Sequence, residues 1–151
     1  MRISAKSDYA VRAALVLAAS DTPQVKGERI ADAQKIPLKF LENIMIDLRQ
    51  AGLIVSQRGP DGGYRLDRDP SEISVADVIR AVDGPLASVR GGRPEAAEYD
   101  GPAEHLQTVW IALRASVRGV LEHVTLADMI SGEVPEDVLE LARDPDAQKR
   151  R

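Results

Sequence analysis

The sequence predicts a mainly α fold, α+β by class, with one small two-stranded β-hairpin. Three observations predict it. Apolar residues recur at helical spacing through most of the chain. Only Leu53–Leu66, LIVSQRGPDGGYRL, breaks that rhythm, setting a Gly/Pro turn between two short apolar runs. The longest periodic stretch, about 102–124, carries a coiled-coil-like seam outside the first core.

Taken in order, the first helix is predicted over Asp8–Ala19, with Ser7 as N-cap and Val11, Leu15 and Ala18 on the inner face. A turn (SDTPQ) leads to a second helix, about Gly27 to Lys35, with Ile30 and Ala33 inward and Ile36 closing the turn. Pro37 suits the first turn of the third helix, where its missing N–H needs no partner. That helix, about Pro37 to Ala51, carries Leu41, Ile44, Met45 and Leu48 at the i, i+3, i+4, i+7 spacing of a buried stripe. Lys39, Asn43, Ile46 and Gln50, flanked by Glu42, form its other side, and Gly52 ends it.

LIVSQ and YRL read as the paired strands. Ser74 and Asp77 form a capping box opening a fourth helix, whose core face is Val75, Val78, Ile79 and Val82 and whose stop is Gly84. Residues 85–102 lack periodicity and read as a long loop. In the next helix Leu106, Trp110, Leu113, Val117, Val120 and Val124 alternate at spacings of four and three, with Val109 and Leu121 widening the seam. One small core does not need so long a seam, so a homodimer interface is favoured over docking within the chain. Thr125–Asp128 caps a short helix ending at Gly132, and residues 133–151 read as a charged, fraying tail.

Composition narrows the function classes. A chain of 151 residues with 44% apolar content fits one domain plus an appendage. No cysteine is present, which excludes disulfides, thiol nucleophiles and cysteine-held zinc or iron–sulfur clusters. His105 and His123 are too few for an all-histidine metal site, so no metal and no cofactor is expected. No nucleophile–base pair stands out, and the glycine stretch lacks the Lys-Ser/Thr of a phosphate loop. An enzyme is therefore not expected. The start lacks the ordered regions of a signal peptide, and no run approaches the ~18 apolar residues of a membrane span. A cytoplasmic protein without a membrane partner is expected.

Charge is unevenly divided. Residues 1–68 hold 11 Lys/Arg against 8 Asp/Glu, a net of +3; residues 69–151 hold 9 against 16, a net of −7. A polyanion contact therefore belongs to the front half. Two helices joined by a short turn, followed by a hairpin, describe a helix-turn-helix with a wing.

In this arrangement Lys39 would contact phosphate or guanine, and Asn43 could pair with adenine. Glu42 serves either a cytosine amino group or a surface ion pair, and Phe40 either the core or a thymine methyl. In the wing, Gly59, Gly62 and Gly63 permit a close backbone approach. Arg58 suits a narrow minor groove. Ser56 and Gln57 can donate to phosphate oxygens, and Tyr64 can pack or touch the backbone.

The blocks MRISAKSDYAVRAALVLA, IADAQKIPLKFLENIMIDLRQAGLIVSQRGPDGGYRL, ISVADVIRAVDGPL and TLADMI closely resemble the Rrf2 family of winged-helix bacterial regulators, the IscR/NsrR/CymR-like group. The resemblance implies a homodimer on a palindromic operator in double-stranded DNA, usually acting as a repressor. It implies DNA contacts by Pro37, Lys39, Phe40, Glu42 and Asn43 and by Ser56, Arg58 and Gly59. Many members carry three cysteines in the loop before the long helix and hold an iron–sulfur cluster there; this loop has none. By analogy with cluster-free members, sulfur or cysteine metabolism is the implied pathway. The signal would then be a small-molecule effector, a partner protein or none, with Arg90 and Arg93 either candidate anion contacts or solvated loop charges.

The domain plan is a winged helix-turn-helix over 1–84, an effector-type loop over 85–102, dimerisation helices over 103–132 and a tail over 133–151. The alternative is a winged-helix adaptor that docks proteins under control of a partner protein. An adaptor would show more exposed apolar residues on the third helix, where only Ile46 qualifies.

Overall fold

Small side chains set the centre of the molecule. Ala10, Ala13, Ala14 and Leu17 are buried along the first helix, α1 (Ala5–Ala19), and their size lets other helices approach its backbone closely. The computed structural model describes residues 1–150. Around α1 pack α2 (Gly27–Gln34), α3 (Leu38–Gln50), α4 (Val75–Asp83) and α6 (Leu126–Ser131). The antiparallel pair β1 (Ile54–Gln57) and β2 (Gly63–Leu66) follows α3, in the register Ile54↔Leu66 through Gln57↔Gly63. After a loop comes α5 (Leu106–Leu121), and α7 (Glu136–Arg143) ends the regular structure. The fold is thus mainly helical with one two-stranded sheet, as the sequence predicts.

Several local details differ from the sequence expectations. Ser4, not Ser7, caps α1: its side chain accepts from the Ser7 N–H at 2.9 Å. Ser7 is buried and donates to Asp83 at the end of α4 at 2.6 Å, and Ser4 donates to the same carboxylate. The helix therefore begins at Ala5, and its core face is the alanine face. Val11, Leu15 and Ala18 are only partly buried and pack beside it. In α2 Ala31, not Ala33, accompanies Ile30 inward. Lys35, with a left-handed backbone at φ 53°, ends this helix and turns the chain toward α3. Pro37 stands one residue before α3, at its N-cap.

Leu41, Ile44, Met45 and Leu48 of α3 are buried as their spacing predicts. Each such side chain contributes about 2 kcal/mol relative to exposure. The capping boxes at Ser74/Asp77 and Thr125/Asp128 both form. In α4 Ala76, Val78 and Ile79 are buried, whereas Val75 and Val82 are half-buried.

The rear half departs further. Residues 85–102 contain a tight turn bridged between Val89 and Gly92 and a short 3-10 turn at Pro94–Ala96. Gln107 donates to the carbonyls of Glu95 and Ala97, both at 2.9 Å, which ties this loop to α5. The helix itself starts at Leu106, after a second 3-10 turn at Gly101–Ala103. Leu126 of α6 is fully buried in the same cluster as α1 and α3, so α6 belongs to the front core rather than beside α5. Within the tail, Glu136–Arg143 is helical, closed by an Arg143–Glu136 ion pair at 2.7 Å.

Candidate nucleic-acid interface

With its apolar stripe facing α1, α3 turns Lys39, Glu42, Asn43, Ile46 and Gln50 outward. Lys39, Glu42 and Asn43 make no side-chain hydrogen bond or ion pair among the described residues, so their polar groups are free for an outside partner. Phe40 lies at the edge of this face and is half-exposed, its ring edge-on to Tyr9 at 5.6 Å. Two contacts fix the helix. Lys6 of α1 pairs with Asp47 at 2.6 Å, and Arg49 donates to Ser56 of β1 at 3.2 Å. The second places the wing's first strand against the end of α3.

The hairpin is built around three glycines. Gly59 adopts φ 106°, and its carbonyl accepts from the Gly62 N–H at 3.0 Å, closing the turn. A Cβ on Gly62 would lie 2.2 Å from the Gln57 carbonyl oxygen, so no other residue fits there. A Cβ on Gly63 would lie 2.6 Å from the Val25 carbonyl oxygen. That close approach serves a bridge: Val25 and Tyr64 exchange backbone hydrogen bonds of 2.9 and 2.8 Å. Gln24 also donates to Gln57.

Arg58 stands exposed at the hairpin's mouth with no ion pair among the described residues. Ser56, Gln57 and Gly59 are exposed beside it, whereas Tyr64 is half-buried and packs against the core.

Lys26 and Arg29, which the sequence expectations omit, complete the basic surface. Both are exposed at the start of α2 and line a groove shared with Pro60, Asp61 and Gly62 of the wing. The basic spacing in VKGER is their only sequence signal; proximity to the hairpin depends on the Val25 bridge.

Behind this body, Trp110 donates to the Tyr99 hydroxyl at 3.2 Å, and Arg114 pairs with Glu95. Val117 and Leu121 pack against Ala76, Ile79 and Leu86. Val124 is only 6% exposed within its own chain, and its carbonyl accepts from Val75 N–H at 2.9 Å. These three are held by the chain itself, which leaves Val109 and Ile111 as the exposed large apolar residues of α5. Leu106, Trp110, Leu113 and Val120 are half-buried. Arg90 and Arg93 separate: Arg90 lies 5.9 Å from the Tyr99 ring centroid, in an apolar pocket with Leu106, Trp110 and Leu113. Arg93 lines a different cleft, with Arg80, Arg114 and Arg118.

A helix-turn-helix whose second helix presents a free polar face, next to a basic β-hairpin, defines a winged-helix, DNA-binding transcriptional regulator. The chain belongs to the Rrf2 family. The family model, described as an iron-dependent transcriptional regulator, matches residues 3–132. Among similar proteins, one named as an HTH-type transcriptional regulator, Rv1287 of Mycobacterium tuberculosis (strain H37Rv), is 51% identical over 150 residues, covering 99% of this chain and 93% of that protein. The regulator IscR of Serratia proteamaculans is 37% identical over 152 residues, covering 100% of this chain and 90% of IscR. Among solved structures, CymR, the global cysteine regulator of B. subtilis, superposes with a TM-score of 0.72 at 34% identity, covering 87% of this chain and 98% of CymR. IscR of T. potens superposes with a TM-score of 0.70 at 31% identity, covering 100% and 93%. The family and these relatives are transcriptional regulators rather than enzymes.

The family's iron does not fit the side chains present. The chain has no cysteine to supply a thiolate. Among the described residues, no group of three or more His, Asp or Glu converges to hold a metal ion. Asp8 is engaged by Arg12 at 2.9 Å, and His105 is almost wholly exposed beside Glu104. Among the same residues no helix is long and apolar enough to cross a membrane.

Proposed function

We propose that this regulator binds a palindromic operator as a homodimer and represses transcription. The observation that carries the reading is that Lys39, Asn43 and Arg58 are all exposed, and unpaired among the described residues, on one continuous α3–wing unit. In this reading α3 enters the major groove, where Asn43 takes an adenine edge and Lys39 a guanine or phosphate. Glu42, Phe40 and Pro37 border that contact. Arg58 enters the adjacent minor groove, Ser56, Gln57 and Gly59 meet phosphates, and Lys26 and Arg29 hold the flanking backbone.

The DNA-binding unit then spans 1–84 with α6 packed into it. A second copy docks on the apolar flank of α5, chiefly Leu106, Val109, Trp110, Leu113 and Val120. The control signal comes from an effector or partner protein rather than a cluster, in a cytoplasmic regulator. Likeness to CymR, the global cysteine regulator of B. subtilis, supports a place in cysteine or sulfur metabolism. Selecting bound sequences from a random DNA pool tests the reading. It should return a symmetric site with half-sites about 34 Å apart, or a multiple of that. Arg58→Ala should weaken binding roughly tenfold and lower the salt dependence by about one counterion. An asymmetric consensus would sink the dimer, and unchanged affinity would remove the wing. Exposed Phe40 and Ile46 on α3 favour a second reading, a protein-docking adaptor, which no DNA binding at low salt would support.

A further inference from the structure

The rear half of the chain is acidic, with 9 Lys/Arg against 16 Asp/Glu over residues 69–151. Yet four of its arginines meet in one place. Arg80, Arg93, Arg114 and Arg118, with Pro85 and Leu86, line a cleft of about 330 Å³ between α4, the 85–105 loop and α5. Sequence spacing gives no hint of it, because the four come from three separate segments.

The carboxylates at hand do not satisfy these arginines. Glu122 accepts from Arg80 and, at 2.9 Å, from Arg118, and Asp77 stands 3.9 Å from Arg80. Glu95 takes one nitrogen of Arg114. Arg93 has no carboxylate partner among the described residues. A guanidinium offers five N–H donors in a planar fork, so most donors of this group remain unused. The arrangement is also ordered. Ion pairs of Glu122 with Arg80 and Arg118 hold both arginines in place, and the same hydrogen bonds, from Arg80 and then Arg118, lower the Glu122 carboxyl from its ordinary range. Arg114 is largely covered, with a side-chain exposure of 20%.

We propose that this cleft is an effector site for a small polyanion, phosphate-bearing or polycarboxylate. Arginines that line one cleft from three segments offer planar forks of the kind that bind the oxygens of either group in bidentate fashion. The cleft also stays open in a dimer. At about 100° per residue, Arg114 and Arg118 lie roughly 100–140° round α5 from Leu113, while Val109 and Val120 lie roughly 20–40° to its other side. A second copy centred on Val109, Leu113 and Val120 would leave Arg114 and Arg118 to the side of the contact.

The location suits control. Arg80 sits in the last turn of α4, whose Asp83 receives the Ser4 and Ser7 hydroxyls at the start of α1. An anion spanning Arg80, Arg93 and Arg114 fastens α5 and its loop to that junction, and so sets how two DNA-binding bodies are spaced. This consequence rests on the regulator reading; binding of the anion does not.

Calorimetric titration of the full chain, without DNA and at constant ionic strength, tests the site. Inorganic pyrophosphate and citrate serve as separate probes, so the arm that binds distinguishes phosphate from carboxylate chemistry. Binding of at least one should weaken about tenfold in Arg93→Ala and in Arg118→Gln, and remain unchanged in Arg58→Ala. Circular dichroism verifies that the variants fold. Arg93→Ala breaks no ion pair and decides the matter if Arg118→Gln does not fold. No heat with either probe at about 5 mM, or equal affinity in Arg93→Ala, overturns the proposal. Neither outcome depends on DNA binding, so failure here leaves the operator reading standing.

Discussion

α3 and α5 are both amphipathic helices of similar length, and their apolar stripes have opposite fates. Leu41, Ile44 and Leu48 of α3 are 0% exposed and Met45 is 1% exposed, sealed against α1 and α4. No residue of α5 is fully buried, and Val109 remains 54% exposed. One helix stabilises its own fold and so presents a fixed outer face to a partner. The other keeps apolar surface in water, which favours a second protein surface against it. On the proposed reading, the first is a rigid reading head and the second an arm that a second copy covers.

Substitutions can break or sharpen that contrast. Leu48→Ala should destabilise the fold by about 3 kcal/mol, read as a lower urea midpoint, whereas Val109→Ala should cost less than about 1 kcal/mol in dilute protein. Similar losses at both sites would erase the distinction. Val109→Asp should weaken self-association about fiftyfold in sedimentation experiments without lowering helix content, because it buries an unpaired charge only in the dimer. Asn43→Ala should cost about 1–2 kcal/mol of operator affinity and relax selection at a single base pair, sparing the fold. Removing the α6 cap with Thr125→Ala should lower stability by about 1 kcal/mol, since Thr125 accepts from the Asp128 N–H at 3.1 Å.

The smallest effect concerns pH. Hydrogen bonds from Ser4 and then Ser7 lower the Asp83 carboxyl below its usual value of 3.8. A lowered folded value means that the contribution is fully present above the unfolded value and disappears as pH falls through the folded one. Thermal melts of the native chain should therefore lose stability more steeply below about pH 4 than those of Asp83→Asn. Parallel pH profiles would show that the carboxylate contributes nothing there.

The front of the molecule is legible because its signals are local. The stripe of α3, the glycine that follows it, the hairpin turn and both capping boxes each lie within a few residues of their cause. In α1 local size misleads: Val11 and Leu15 outweigh Ala10 and Ala13 in hydrophobicity, yet close packing favours the alanines. Its cap is equally non-local, since Ser7 is drawn inward by a carboxylate 76 positions away. The seam of α5 reads as wholly intersubunit because sequence spacing cannot reveal that Leu86 and Ile79 cover Val117 and Leu121. Of the candidate DNA contacts, those on α3 and at Arg58 are visible from pattern alone. Lys26 and Arg29 become visible only once Val25 is hydrogen-bonded to Tyr64.

That two-bond bridge between Val25 and Tyr64 bears on the thermodynamics of DNA association. A free hairpin of this length is marginal in water and would have to be ordered as it met the groove. Here the strand is already fastened to the helical body, and Gly63, where a Cβ would meet the Val25 carbonyl, permits that close approach. On the proposed reading, docking therefore carries little conformational entropy loss in the wing. Its heat-capacity change should follow the surface removed from water at the contact, without the added signature of a segment that folds on arrival.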